Sequence, residues 1–437
     1  MQLDDMILVS VDDHVVEPPD LFEDRLSKAA AERAPHVVKL PNGADAWMFE
    51  GSPLPNVGLN AVAGRVPEEY GVDPLAFDQM RPGCYDIDER IRDMNVNGVL
   101  GSLNFPSLAG FTGQLFTTCD DKAIALELLQ AYNDWHIEDW CGTHPGRMIP
   151  LAVPPVWDPE LMAAEVRRCA AKGCHAVTFS ENPTKLGFPS FHTDHWDPFW
   201  EACVETDTVV CLHIGSSSTT VITSADAPID TMITLQPMHI VECAADLVWS
   251  PMLRKYDGLK IALSEGGIGW IPYFLERIDY VYQHHKAWTN QDFGDKLPSQ
   301  VFNEHIITCF IDDAVGMEVR HHLNMDNVCW ECDYPHSDST WPNAPELAWK
   351  YMGELPDADI NRITHENAMR AFSYDPYAHI PRDQCTVGAL RAQATDVDTT
   401  PVAHGTGKFQ EDGIVTAVTL AERMAAQQEK GGGGDEG

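Results

Sequence analysis

The sequence predicts an α/β chain folded as a (β/α)8 TIM-like barrel, and three observations carry that expectation. Short apolar runs recur at 7–12, 98–103, 147–153, 176–180, 208–213, 260–264, 305–309 and 328–332. Amphipathic helical patterns such as 159–172 and 196–205 separate most of them. Strands that alternate with helices pair in parallel through right-handed crossovers. No glycine-rich phosphate loop follows the first strand, which places a doubly wound open sheet second.

The first strand, Ile7-Leu8-Val9-Ser10-Val11-Asp12, runs into Asp13-His14-Val15-Val16-Glu17-Pro18. Residues 30–85, rich in Pro and Gly, follow as an insertion. An insertion of that length after a barrel strand overhangs the catalytic face as a lid or pocket wall. A helical pattern at 87–94 leads into strand two, and the remaining units follow in order to residue 372. Residues 383–437 are polar, with one helical patch at 415–428 before Gly431-Gly432-Gly433-Gly434. The expected organisation is a barrel over 1–382 and an extended acidic tail over 383–437. Such a tail is flexible, or ordered only against another subunit.

At 437 residues and 44% hydrophobic content the chain can bury a large core. Its 29 Lys and Arg against 67 Asp and Glu leave a net charge of −38, which repels nucleic acid and anionic membranes. No apolar run approaches the length of a membrane span. Met1-Gln2-Leu3-Asp4-Asp5 has no signal-peptide character, so a cytoplasmic location is the expectation. Twelve cysteines, among them Cys211, Cys309 and Cys329 in apolar runs, read as reduced core thiols.

Barrel enzymes place their reactive groups at the C-terminal ends of the strands. Strand one ends in Asp12-x-His14, whose spacing of two puts both side chains on one face. Strand five ends in His213, strand six in Glu265-Gly266-Gly267, and strand eight in Asp333, followed by Tyr334-Pro335-His336-Ser337-Asp338. Alone, Asp12 and His14 are ordinary turn residues and His213 is a structural histidine. Four strands that deliver nitrogen and oxygen donors to one rim favour a metal site.

These motifs resemble the amidohydrolase superfamily, closest to the amidohydrolase-related branch that includes the aminocarboxymuconate semialdehyde and resorcylate decarboxylases. The resemblance runs from about residue 7 to residue 372 and includes Pro145-Gly146-Arg147 and Glu366-Asn367-Ala368. It implies ligation of a divalent ion (Zn, Mn or Fe) by Asp12, His14, His213 and Asp333. Most members begin with His-x-His, and the carboxylate at Asp12 shifts the expectation toward Mn or Fe. The branch usually carries a general acid/base histidine after strand six, where this chain has Glu265. Glu265 is then the proton shuttle, a ligand to a second ion with His336 or Asp338, or a carboxylate that only binds loop amides.

Further candidates are Glu17 as a partner of His14, Asn104 and His192 as substrate contacts, and Arg65 and Arg81 as carboxylate clamps. Catalytic work falls to Glu265, Asp333 and His336. The expected activity is metal-dependent hydrolysis of a small carbonyl- or carboxylate-bearing substrate, with a hydroxide generated at the ion as nucleophile. Nonoxidative decarboxylation ranks next, because the strand-six histidine is absent. A dinuclear Fe/Mn oxygenase and a noncatalytic partner subunit follow. A homo-oligomer is expected, with a hetero-oligomer containing a paralogue as the variant.

Overall fold

The computed structural model describes residues 1–54, 57–71, 73–404 and 414–420. Among the described residues there are eleven strands: β1 Leu8–Val15, β2 His36–Lys39, β3 Asp45–Phe49, β4 Ser52–Leu54, β5 Val99–Pro106, β6 Met148–Ile149, β7 Ala176–Ser180, β8 Val209–His213, β9 Lys260–Ser264, β10 Ile306–Phe310 and β11 Val328–Trp330. Parallel sheets β1-β5-β6 and β11-β10-β9-β8-β7 contain the eight expected strands. The edges meet on both sides. Ala152 bridges to Val177, and the Asp333 amide donates to the Asp12 carbonyl at 2.9 Å. The eight strands thus form one circuit, as a (β/α)8 barrel requires.

Packing follows the alternation along each strand. Ile7, Val9, Val11, Ala176, Val209, Cys211, Ala262, Cys309 and Cys329 share one buried cluster, and small residues suit the crowded interior. Helices cover the outer faces through a second, larger cluster that includes Met162, Val166, Phe199 and Leu247. All twelve cysteines are free and buried, as core thiols should be. Helix starts are legible in the chain: Asp158 accepts from the amides of Glu160 and Leu161, with Pro159 at the first helical position. Helix Ile87–Asn97 ends at Gly98 (φ 72°), where a Cβ would meet Val387 Cγ1 at 2.8 Å.

The insertion folds on its own antiparallel sheet, β2-β3-β4, and buries Trp47 and Phe49 against the body. The tail departs from expectation. Far from being loose, helix Val387–Arg391 buries Val387 and Leu390, the Val387 amide donates to Met6, and Arg391 pairs with Glu346 at 2.6 Å. Apolar Val387 and Leu390 at helical spacing explain the docking. Of the helical patch at 415–428, residues 421–428 lie outside the described residues. Among the described residues no helix is long and apolar enough to cross a membrane.

Arg147 accounts for the Pro-Gly-Arg motif. Its buried guanidinium donates to the carbonyls of Leu100 (2.7 Å) and Val99 (3.1 Å) and to Asn95 Oδ1 (2.8 Å). Burial draws its pKa down to about 10. It therefore clamps the start of β5 on the stability face. Arg147→Met should cost roughly 3 kcal/mol in denaturant unfolding, because three buried acceptors lose their donor. Metal content of the folded fraction should not change.

Candidate metal centre

The β1–β5 register steps from Ser10↔Ser102 to Asp13↔Asn104, three residues against two, so a bulge sits at Val11 and Asp12. Bulges re-aim side chains beside active sites. Here Asp12 and His14 turn to the barrel mouth while Asp13 turns away. Asp13 accepts from the Tyr334 amide at 2.8 Å and from the Ser102 hydroxyl, and burial pushes its carboxyl up to about 6. The His14 carbonyl is held by buried Arg90 at 2.5 Å, whose guanidinium lies 4.5 Å over the Tyr334 ring. Backbone on both sides of His14 is fixed before any ion arrives.

Four side chains converge at the mouth. His14 Nε2 is 3.1 Å from His213 Nε2, 3.3 Å from Asp333 Oδ1 and 3.7 Å from Asp12 Oδ1. His213 Nε2 is 3.6 Å from Asp12 Oδ2. Donor atoms bound at about 2.1 Å to one ion stand roughly 3–3.5 Å apart, so these spacings fit a shared cation. His213 Nδ1 donates to the Ile214 carbonyl at 2.5 Å, which leaves its Nε2 lone pair free for the mouth.

The polar atoms here are otherwise unmatched. Both Asp12 oxygens, Asp333 Oδ1 and His336 Nε2 are buried without a hydrogen-bond partner. Burial, then the neighbouring carboxylates Glu331 and Glu265, pushes the Asp12 pKa well up; burial and Glu265 do the same to Asp333. Burial, with His336 and His213 close by, holds His14 well down and neutral, the form that ligates. Buried carboxylates without partners are costly. A divalent cation would relieve all of them at once, so the residues fit the group.

Glu265 extends the centre. His14, Glu265, Asp333 and His336 form a second potential metal-binding group that shares His14 with Asp12 and His213. Glu265 Oε2 is 3.5 Å from His213 Nε2, and Glu265 Oε1 is 3.9 Å from His336 Nδ1. Burial pushes the Glu265 carboxyl up, but His213 and His336 outweigh it and hold the group well below its usual range. The His336 ring stacks on His14 at 3.6 Å and its Nδ1 lies 3.0 Å from Asp333 Oδ1. Glu265 (φ 55°) and Asp333 (φ 61°) both adopt left-handed backbone, a sparsely populated region that clusters at functional sites.

Other expected residues are occupied elsewhere. Glu17 does not orient His14: it accepts from the Ser107 and Leu108 amides and the Tyr132 hydroxyl, and burial pushes its pKa up to about 7. Asn104 is tied to Ser102 and Trp140. His192 pairs with Asp246 at 2.6 Å on a side cavity and does not reach the centre. Arg65 is buried on the Gln79 carbonyl, and Arg81 is bound to Asp93, so neither clamps a substrate. Asp338 is exposed in the loop after Asp333.

Sequence reasoning passes over Phe105 and Phe111. Phe111 stacks on His213 at 4.4 Å, and Phe105 lies 4.8 Å from the same ring. Phe105, one of the last residues of β5, carries the signal that could have found it, the strand-end position. It also passes over Glu331, buried with Oε1 unpartnered and pushed up to about 8 by burial. Cys329 and Cys332 stand in Cys-x-x-Cys spacing, yet Cys332 Sγ contacts Asn97, Ser339 and Thr340. That pair belongs to packing.

A family model described as Amidohydrolase matches residues 14–373. A gamma-resorcylate decarboxylase of Rhodococcus jostii is 24% identical over 348 residues, 72% of this chain and 95% of the relative. The fold is similar to a 5-carboxyvanillate decarboxylase from Sphingomonas paucimobilis (TM-score 0.60, 17% identity, 85% of this chain and 100% of that one). It is also similar to a dihydroxybenzoic acid decarboxylase from Polaromonas with bound manganese (TM-score 0.52, 22% identity, 70% and 90% covered).

His213→Ala should leave the far-UV circular dichroism intact. Affinity for Mn or Zn should fall by more than about 100-fold, beyond what an outer hydrogen-bond partner of a ligand is worth. Unchanged metal content, read by mass spectrometry of the purified protein, would remove His213 from the donor set.

Proposed function

The chain belongs to the amidohydrolase family, and from that premise we propose that it is a divalent-metal-dependent, nonoxidative decarboxylase of a small aromatic carboxylic acid. The observation that carries this reading is the pairing of Glu265 with His336 beside the convergent Asp12, His14, His213 and Asp333. The missing strand-six histidine had placed hydrolysis first. His336 supports the reversal: it stands next to Glu265 from the following strand-eight loop and brings an imidazole to the same space. Relatives matched over nearly their whole length are decarboxylases, which supports the same order.

Asp12, His14, His213 and Asp333 would hold the ion, for which manganese in the Polaromonas protein is the precedent. When bound, it supplies Lewis acidity and a fixed charge for a carboxylate and an adjacent phenol oxygen. Phe111, partly exposed and stacked on the His213 ring with buried Phe105 behind it, offers the apolar wall on which a planar substrate ring packs. Cleavage of the aryl–carboxyl bond releases CO2 and leaves the electron pair on the ring carbon, which takes up a proton. His336 is placed to deliver it from Nε2, because Nδ1 faces Asp333 and Glu265. Glu265 returns the proton from solvent to that pair.

A second reading rests on the two donor sets that share His14. They suit two ions, with Glu265 and His336 as ligands to the second, and oxygen or hydrolytic chemistry in place of decarboxylation.

One variant separates the two. His336→Asn in the manganese-loaded enzyme should lower kcat on an ortho-hydroxybenzoate by roughly 10²–10⁴-fold with one ion per chain before and after. Metal stoichiometry that falls from two to one would favour the dinuclear centre. No CO2 release from any ortho-hydroxybenzoate by the wild type would end the decarboxylase reading.

A further inference from the structure

The family match ends at residue 373, and the Rhodococcus jostii relative is 95% covered by its own match. The tail of this chain therefore lies beyond the match; its helix Val387–Arg391 docks on Met6, ahead of β1, and the chain then continues to the insertion. Past that helix its contacts lie beside helix Ile87–Asn97: Arg92 pairs with Asp396 at 3.2 Å, and Arg81 Nη1 donates to the Asp398 carbonyl at 3.0 Å. The tail then joins the insertion. Val402 bridges in parallel to Arg65, its amide donates to the Gly64 carbonyl at 2.9 Å, and the His404 amide donates to Glu69 at 3.0 Å. A later segment attaches to the loop after β8, where Ile229 donates to the Val415 carbonyl at 2.8 Å and Pro228 bridges Thr416.

The insertion segment held by Val402 itself holds the strand-eight loop. The amides of Val62 and Ala63 both donate to the Pro335 carbonyl at 3.0 Å. Pro335 precedes His336, whose amide closes back on the Asp333 carbonyl at 2.9 Å. Three short steps of main chain thus run from the tail to the imidazole stacked on His14. The Val402 side chain is 55% exposed, so its part is played by the amide.

We propose that Val402 is a positioning residue for His336, acting through Gly64 and Pro335, and that the C-terminal tail thereby sets the reactivity of the site. Backbone hydrogen bonds in a two-residue-wide ribbon resist lateral shift, and a shift of about 1 Å at a reacting group can cost on the order of 100-fold in rate. Segment 62–65 lies in the middle of the long insertion and has no regular secondary structure of its own, so its position depends on the bonds it makes to neighbouring segments. The proposal rests on the role assigned to His336, but its structural half is separable from the reaction.

Val402→Pro removes the amide proton without touching a metal donor, and Val402→Ala keeps it. In the full-length, manganese-loaded enzyme, V402P should lower kcat at least tenfold with KM within about threefold and metal content unchanged, while V402A matches the wild type. Amide exchange at Val62, Ala63 and His336 should speed at least tenfold in V402P only. Unchanged kcat with faster exchange at Val62 and Ala63 would overturn the positioning role, and so would unchanged exchange. Should V402P lose its fold, a full-length chain with an ester in place of the Val402 amide decides, since it removes the same donor without the proline ring: a fall in kcat with faster His336 exchange upholds the proposal, and wild-type behaviour refutes it. A wild type that releases no CO2 but shows the exchange pattern would fail the decarboxylase reading alone.

Discussion

The mouth of this barrel confines four carboxylates (Asp12, Glu265, Glu331 and Asp333) and three imidazoles within a few ångströms, nearly all of them removed from water. Like charges at that spacing in a low dielectric repel strongly, and each desolvated carboxylate costs several kcal/mol on its own. Nothing in the local sequence offsets this, because no lysine or arginine reaches the donor atoms among the contacts of these side chains. Buried Arg90 is spent on the carbonyls of His14 and Gly83. The cluster is a potential metal-binding site, and the surrounding architecture fixes the position of its side chains.

That holding is done by main chain and by pairs remote from the ion. The seam between β1 and the loop after β11 combines the Asp333–Asp12 and His14–Tyr334 backbone bonds with the Asp13 carboxylate on the Tyr334 amide. Asp93 accepts from the Tyr334 hydroxyl at 2.6 Å and from Arg81, so helix Ile87–Asn97 braces the same loop. Left-handed backbone at Glu265 and Asp333 costs of order 1–3 kcal/mol each. It persists because neighbouring strands over-determine those positions. The shape of the centre is thereby set before substrate or metal enters, which is the condition for electrostatic catalysis without reorganisation.

Much of the fold was legible because the signals are local. Short apolar runs marked Val209–His213 and Lys260–Ser264 to within a residue and the start of Leu8–Val15, whose end they placed three residues early, and strand-end reading picked out His213, Glu265 and Asp333. The same reading failed where a side chain's partner comes from a distant segment. Glu17 looked available for His14, but the loop at Ser107 and Leu108, ninety residues on, takes both its oxygens. Asn104 stood at a strand end and is consumed by Trp140. His192 answers to Asp246 on another helix. The tail looked polar enough to be loose, yet Val387 and Leu390 dock it, a contact that only the surface left open by Met6 and Gly98 could reveal.

Taken by itself, the order of residues determined the strand–helix alternation, the sign of the overall charge and the acidic and imidazole side chains that stand at the strand ends. Those follow from periodicities of two and 3.6 residues and from side-chain chemistry, all properties of neighbours in the chain. Tertiary structure alone decided that the His336 ring stacks on His14, that Phe105 and Phe111 wall the His213 ring, and that the tail reaches Gly64. Each of these joins segments tens to hundreds of residues apart. Such distances are set by barrel closure and loop packing, which no local pattern encodes.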